Sequence, residues 1–368
     1  MATDCISPIL DSKCKQAFRR RLLAWYAKHE RDLPWRKSQD PYRVWISEVM
    51  LQQTQVETVK PYFLRFLKAF PTVKNLAAAE ESQVLRLWEG LGYYRRARGL
   101  HAAAKKIVAE HGGQFPRDVA TLQTLPGIGR YTAGAIASIA FNQRAPILEA
   151  NTIRLLARLL AYPDDPTKSV GQRLLWAMAE EILPRRDVAR FNQALMELGS
   201  LVCTPTQPKC DACPVARNCA AFQEGLQNEI PRASVKMKFT DVREAVVVVR
   251  KNGKVIMRQC GPDERWAGLW DFPRFGIESE GPLFVEEELV AKVRDQTGIT
   301  AKPGSLLTTI KHGVTRYRIT LDCYTAQYKS GRLKGAMRWI RPAELAELPL
   351  STTGRKLANR IIQSASGN

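Results

Sequence analysis

The chain has no uninterrupted apolar run of 18 or more residues, so an ordinary transmembrane helix is not expected. The opening stretch MATDCISPIL does not follow the basic, apolar, small-residue order of a secretory leader, and a cytoplasmic, nucleoid-associated location is the expectation. Internal repeats and low-complexity tracts are also missing. With hydrophobic residues at 45% and charged residues at 25%, the composition is that of a folded protein rather than a disordered one. Acids are in short supply: 36 Asp and Glu stand against 56 Lys and Arg, a formal charge of +20. Solubility needs only a few units of charge, so an excess this large points to a polyanionic partner, with nucleic acid ahead of an anionic membrane.

What is present divides in two, and 368 residues are enough for two cores. From about residue 14 to about 200, stretches such as "KQAFRRRLLAWYAKH", "VWISEVMLQQTQVETVKPYFLRFLKAF", "RARGLHAAAKKIVAEH" and "ARFNQALMELGSLVC" repeat apolar residues every three or four positions, with Pro and Gly between them. This predicts an all-helical domain over 1–228. The polar, basic stretch "EIPRASVKMKFT" predicts a linker over 229–240. Beyond it, "REAVVVVRKNGKVIMRQ" reads as two strands around an Asn-Gly hairpin, "RYRITLDCYTAQY" as a strand and "VEEELVAKVRDQTG" as a helix. A smaller α+β domain over 241–368 is expected.

Three patterns in the helical half carry chemistry. In "LPGIGRYTAGAI", Gly127 and Gly129 flank Ile128 between helical runs, which allows a sharp turn and open N–H groups at the start of the next helix, suited to a DNA phosphate. A ligand-free helix–helix turn is the plainer alternative. Four of the eight cysteines, Cys203, Cys210, Cys213 and Cys219, crowd together with spacing C-x6-C-x2-C-x5-C, whereas Cys5, Cys14, Cys260 and Cys323 are scattered and read as ordinary thiols. In a reducing compartment the cluster indicates metal, and spacing alone leaves zinc and [4Fe–4S] both open. Finally, Glu149 in "APILEANTIRLLARLL" stands at the start of a helix, where the helix dipole alone would favour an acid, so its local pattern does not separate a cap from a reacting group.

The stretches "LPWRKSQDPYRVWISEVMLQQTQV", "LWEGLGYYRRARGLHAAA", "LPGIGRYTAGAIASIAF" and "NQALMELGSLVCTPTQPKCDACPVARNC" together resemble the A/G-specific adenine DNA glycosylases of the endonuclease III superfamily. The resemblance spans nearly all of residues 18 to 225. It implies a helix-hairpin-helix glycosylase domain with a [4Fe–4S] loop held by the four clustered cysteines, and double-stranded DNA containing a mispaired adenine as the partner of a monomer. Cleaving an N-glycosidic bond calls for a protonated acid near the base and a carboxylate near the sugar. The resemblance puts Glu48 in the first role, and the apolar run after it is expected to bury it and raise its pKa. Glu149 falls on the second acid, with Asn151 and Tyr131 in support. The family's usual V-D-G-N is Leu-Glu-Ala-Asn here, so the charge stands one methylene further from the backbone.

Relatives that cut the strand carry a Lys nucleophile where this chain has Tyr131, so water is the expected acceptor and an intact strand the expected product. Gln53 and Tyr93 fall on positions that fill and wedge the duplex when the base leaves the stack. Leu33, Trp35, Arg36 and Gln193 fall on the adenine pocket. In the second half, "RWAGLWDFPRF" resembles the Nudix-like domain of the same family, without the acid cluster that pyrophosphate hydrolysis requires. There the resemblance implies a loop that reads 8-oxoguanine, occupied here by Val314, Thr315 and Arg316 in place of Phe-Ser-His. Two alternatives to an adenine glycosylase remain: a divergent glycosylase with altered substrate or opposite-base preference, and a mismatch-binding protein without catalysis.

Overall fold

The computed structural model describes residues 11–232, 238–279 and 281–366; Cys5, the opening decapeptide and residues 233–237 of the expected linker lie outside the described residues. Two compact units emerge, one of Met1–Ala78 with Gly99–Lys236 and one of Ala79–Arg98 with Met237–Asn368.

The first unit is helical: α1 (Ser12–His29), α2 (Pro41–Leu51), α3 (Val56–Ala69), α4 (Val73–Ala78), α6 (Arg95–His111, from Gly99), α7 (Val119–Gln123), α8 (Arg130–Phe141), α9 (Ala150–Leu159), α10 (Ser169–Ile182), α11 (Val188–Leu201) and α12 (Ala220–Gln223). Side-chain caps fix several starts. Asp11 accepts from the amides of Lys13 and Cys14, and Asp40 accepts from Tyr42 with Pro41 in the first helical turn. The long helical run expected from Val44 to Phe70 is two helices, because the chain turns at Gln53 (φ 58°), a backbone geometry that no helix continues. Phe18, Leu22, Leu155, Leu175, Phe191 and Leu195 of α1, α9, α10 and α11 form one core. A second, smaller contact locks α2 to α8 through Val44, Ala135, Ile139 and Ile147. Phe191 is completely buried, and its truncation to Ala would cost about 3–5 kcal/mol.

The second unit is built on one sheet: β1 (Thr240–Lys251), β2 (Lys254–Gln259), β3 (Trp270–Asp271), β4 (Arg274–Gly276), β5 (Ile299–Val314), β6 (Tyr317–Gly331) and β7 (Met337–Ile340). The order along the sheet is β3-β2-β1-β6-β5, with β4 beside β1 and β7 beside β2. β1 and β6 run parallel from Thr240 opposite Tyr317 to Arg250 opposite Gln327. The Asn252-Gly253 pair makes the β1–β2 turn with both residues at positive φ, as the hairpin signal required. The valine run of β1 is buried on both faces. Val246 and Val248 face the cluster that includes Leu357 and Ile361 of α14 (Thr352–Ser366), while Ala245, Val247 and Val249 face Leu289 and Val293 of α13 (Pro282–Thr297). This α+β layer matches the expectation. The short helix α5 (Glu81–Trp88), from the helical half of the sequence, clusters with this sheet unit.

Candidate active site

The acids and their hydroxyl and amide partners in the first unit come from two helix starts, α8 and α9, and one helix interior, α2. Glu48 sits in the buried stretch Val44–Met50 of α2 and is only 6% exposed. α8, packed on α2, begins at Arg130, so Tyr131 in its first turn reaches Glu48 and donates its hydroxyl hydrogen to Glu48 Oε2. The same hydroxyl lies 3.5 Å from Met196 Sδ on α11. Burial pushes the Glu48 carboxyl up to about 7; the Tyr131 bond and the Arg36 charge pull down against it, and the Glu149 charge adds to the rise. The titration of Tyr131 is driven well upward by burial and by both acids, so its hydroxyl remains a donor. The Glu149 charge acts on both Glu48 and Tyr131, although the two acids are 101 positions apart in sequence.

Glu149 is the N-cap of α9, and it also belongs to this site. Its carboxylate accepts from the amides of Asn151 (2.9 Å) and Thr152 (2.9 Å) and from Asn151 Nδ2 (3.1 Å), while Thr152 Oγ1 accepts from the Glu149 amide at 2.8 Å. These bonds draw the carboxylate back onto the helix start. Burial raises its pKa, and the Asn151 and Thr152 hydrogen bonds and the Arg154 charge oppose that rise. Those donors serve the ionised form. Arg154, not anticipated from the sequence, orients Asn151: it donates to Asn151 Oδ1 at 2.9 Å and to the carbonyls of Gly199 (2.7 Å) and Cys203 (2.7 Å). Gly199 admits this close approach, since a Cβ there would lie 2.7 Å from Asn151 Cβ.

The four residues expected in a base pocket are differently engaged. Leu33 and Trp35 are buried, with Trp35 edge-on to Phe63 at 5.5 Å. Gln193 Oε1 accepts from the Tyr26 hydroxyl at 3.1 Å. Arg36 donates to Glu197 Oε2 at 2.8 Å, and Arg31 grips the same carboxylate through Nε and Nη2, each at 2.8 Å. Glu197 is therefore a buried acid that sequence reading missed. Its signal was a lone carboxylate on the apolar face of "NQALMELGSL", with arginines far upstream. The Arg31 and Arg36 bonds overcome its burial and hold it at about 2.

In the hairpin, Gly127 has φ 74° and approaches Gly99 of α6, so glycine is required there, whereas Gly129 is extended and caps α8 without a side-chain bond. Gln53 is exposed at its left-handed turn. In the second unit, Tyr93 is 43% exposed with φ 47°. Thr315 (φ 50°) and Arg316 form the two-residue β5–β6 turn between paired Val314 and Tyr317; the Thr315 hydroxyl donates to the Val314 carbonyl at 2.7 Å. In that unit Glu244 is held by Arg274 (2.6 Å) and Arg265 (3.3 Å), with the Arg274 guanidinium 4.1 Å above the Trp266 ring.

Cys203, Cys210, Cys213 and Cys219 all line one space of about 360 Å³ including its mouth. Arg158, fully enclosed, donates to Cys203 Sγ at 3.2 Å. Burial pushes the Cys213 thiol to about 12 and the Cys219 thiol to about 11. No group of three or more His, Cys, Asp or Glu among the described residues is close enough to hold a metal ion.

Comparison with known proteins places these features. A family model described as the HhH-GPD superfamily base excision DNA repair protein matches residues 46–181, and a NUDIX domain model matches residues 245–360. A thermostable thymine-DNA glycosylase has a similar fold, with TM-score 0.53 and 27% identity, over 58% of this chain and 98% of that one. An adenine DNA glycosylase of Rattus norvegicus is 44% identical over 300 residues, 79% of this chain and 57% of the relative. The chain spans about half the length of the rat, mouse and human relatives it matches. The adenine DNA glycosylase of Buchnera aphidicola subsp. Acyrthosiphon pisum is 35% identical over 277 residues, 75% of this chain and 79% of the relative. Covered to that extent by relatives of one name, and carrying the helix-hairpin-helix and NUDIX domains in sequence, the chain belongs to the adenine DNA glycosylase family.

Proposed function

We propose that the protein removes adenine mispaired with 8-oxoguanine or guanine from double-stranded DNA by hydrolysing the N-glycosidic bond. The observation that carries this reading is the pairing of a buried acid, Glu48, favoured protonated and bonded by Tyr131, with a part-buried acid, Glu149, hydrogen-bonded as a carboxylate, whose charge acts on both. With Tyr131 donating to Oε2, Glu48 keeps Oε1 for the proton it gives to a ring nitrogen of the departing adenine. The C1′–N bond breaks with its electron pair leaving on the base, and the Glu149 carboxylate stabilises the cationic sugar. Water then bonds to C1′ and loses a proton, and the phosphodiester backbone stays whole because Tyr131 supplies no amine for a Schiff base.

In this reading Leu33, Trp35, Arg36 and Gln193 border the adenine, Gln53 and Tyr93 enter the duplex, Gly127 and Gly129 present α8 to a phosphate, and Thr315 meets the opposite base. The net charge of +20 supports DNA binding that weakens steeply with salt. A [4Fe–4S] cluster is assigned to Cys203, Cys210, Cys213 and Cys219, supported by their lining of one common space and by the family resemblance of the cysteine spacing. The enclosed Arg158 cation would balance the negative charge of such a group, whose part is to brace the loop. No helix among the described residues is long and apolar enough to cross a membrane, and we place the protein as a monomer with the cytoplasmic nucleoid.

The test uses duplexes with adenine opposite 8-oxoguanine, guanine, cytosine or thymine. Adenine release opposite the first two, with strand breaks only after alkali, is expected. Strand scission trapped by borohydride, or binding without release, would overturn the reading.

A further inference from the structure

The segment 79–98 belongs by sequence to the helical half, yet it is built into the sheet unit by a set of part-buried and buried polar contacts. Glu89 lies at the end of α5 with its side chain 8% exposed, and Arg355 in the first turn of α14 grips it with Nε at 2.7 Å and Nη2 at 3.1 Å. The Leu350 amide approaches the same carboxylate at 3.3 Å. Arg355 also donates to the carbonyls of Leu345 (2.7 Å) and Leu348 (2.6 Å), and Arg86 donates to the Ala346 carbonyl at 3.0 Å. Five residues after Glu89, the buried Tyr94 hydroxyl donates to the Leu350 carbonyl at 3.1 Å.

Both ends of the loop Glu89–Tyr94 are thus fastened to one short stretch of the carboxy-terminal unit. Between them the backbone turns outward through Gly90 (φ 101°), Gly92 (φ 71°) and Tyr93 (φ 47°), and Tyr93 is left exposed. Arg96 braces the loop from within, donating to the carbonyls of Leu91 (3.0 Å) and Gly92 (3.2 Å) with its guanidinium over the Trp88 and Tyr93 rings. A non-glycine residue in the left-handed region persists only when its surroundings over-determine it. Here those surroundings include the sheet unit.

We propose that Glu89 and Arg355 are a positioning pair through which the carboxy-terminal unit holds the Tyr93 loop in the shape that wedges the duplex, so that the unit carrying the Thr315 turn also sets base extrusion. This rests on the reading of Tyr93 as a duplex-entering residue. A carboxy-terminal unit that served opposite-base choice alone would need no such grip on a loop from the helical half of the chain.

The test uses the full chain with Arg355→Met, which keeps the aliphatic packing without the charge, Arg355→Lys, which keeps the charge without the two-pronged grip, and Tyr93→Ala. The first readout is the fluorescence of 2-aminopurine replacing the target adenine, which reports unstacking without cleavage. The second is single-turnover adenine release from an 8-oxoguanine pair and from adenine opposite an abasic analogue, where extrusion costs little. Arg355→Met should lower both unstacking and release from the pair about tenfold or more, with the loss shrinking to about twofold opposite the abasic analogue, as for Tyr93→Ala; Arg355→Lys should fall between. Unstacking within twofold of the native protein in folded Arg355→Met or Arg355→Lys, with Tyr93→Ala impaired, overturns the proposal. If the native protein unstacks the base and releases no adenine, the hydrolytic reading fails while the fluorescence still decides this one.

Discussion

Two buried glutamates of the helical unit meet opposite fates. Glu48 is 6% exposed and Glu197 1%, yet the first is lifted to about 7 and the second held at about 2. Burial penalises the charge of both. Glu48 has one neutral donor, Tyr131, and a like charge in Glu149; Glu197 is gripped by Arg31 and Arg36. Enclosure alone therefore does not tell whether an acid keeps its proton, and the partners do. Arg36 spans the two regions, bonded to Glu197 while its charge tempers Glu48. One α11 acid thereby occupies a guanidinium that would otherwise act more strongly on Glu48.

The comparison breaks most directly at Glu48. Glu48→Gln should reduce single-turnover adenine release by about 10²–10⁴-fold, the span typical of a lost general acid, without loss of thermal stability at neutral pH. A variant that kept native rates would deny Glu48 its role. The counterpart, Glu197→Ala, leaves Arg31 and Arg36 facing each other without a counter-charge and should destabilise the fold by about 3 kcal/mol, read from urea unfolding. Near-native stability there would mean that solvent already screens the two arginines.

The pH dependence of stability should separate the two acids by sign. Glu48 titrates in the folded state above its ordinary value of 4.5, so between about pH 4.5 and about pH 7 the folded state holds a proton the unfolded chain has released, and stability falls as pH rises through that window. Glu197 titrates below 4.5, so its contribution is present above 4.5 and is lost as pH falls through about 2. Comparing unfolding of Glu48→Gln with the native protein from pH 4 to 8 should remove the first slope. Release rates should likewise decline above pH 7 as Glu48 gives up its proton.

Smaller effects sharpen the picture. Glu149→Ala removes both the α9 cap, about 1 kcal/mol, and the sugar-side charge, so it should lower stability modestly and release strongly; equal release rates would end the proposed role. Tyr131→Phe deletes a bond that lowers the Glu48 pKa, so the descending limb of the rate profile should move to higher pH, with a stability change of about 1 kcal/mol or less.

Much of this was legible from residue patterns because the determining physics is local. The β1 valines, the Asn252-Gly253 turn and the α13 run declared their elements through period and turn chemistry, and the apolar neighbours of Glu48 announced its burial. The α2–α3 break did not show, because Gln53, at φ 58°, is neither the Gly nor the Pro that marks such a turn in sequence. Glu197 did not show either, since its arginines lie far upstream, and Arg154 did not because the carbonyls that fix it, of Gly199 and Cys203, are distant in sequence. The comparison of Glu48 with Glu197 could not have been drawn from the chain alone, where both are single acids within apolar helical stretches.

The order of residues by itself determined the helical and sheet halves, the hairpin glycine at 127, the grouped cysteines and the pair of acids, because each depends on spacing, side-chain volume or backbone freedom within a few positions. Tertiary structure alone decided which buried acid keeps its proton, that Glu149 caps a helix while its charge acts on Tyr131 and Glu48, and that the loop carrying Tyr93 is fastened to the carboxy-terminal unit. Charge energies depend on distances between groups remote in sequence, and only folding sets those distances.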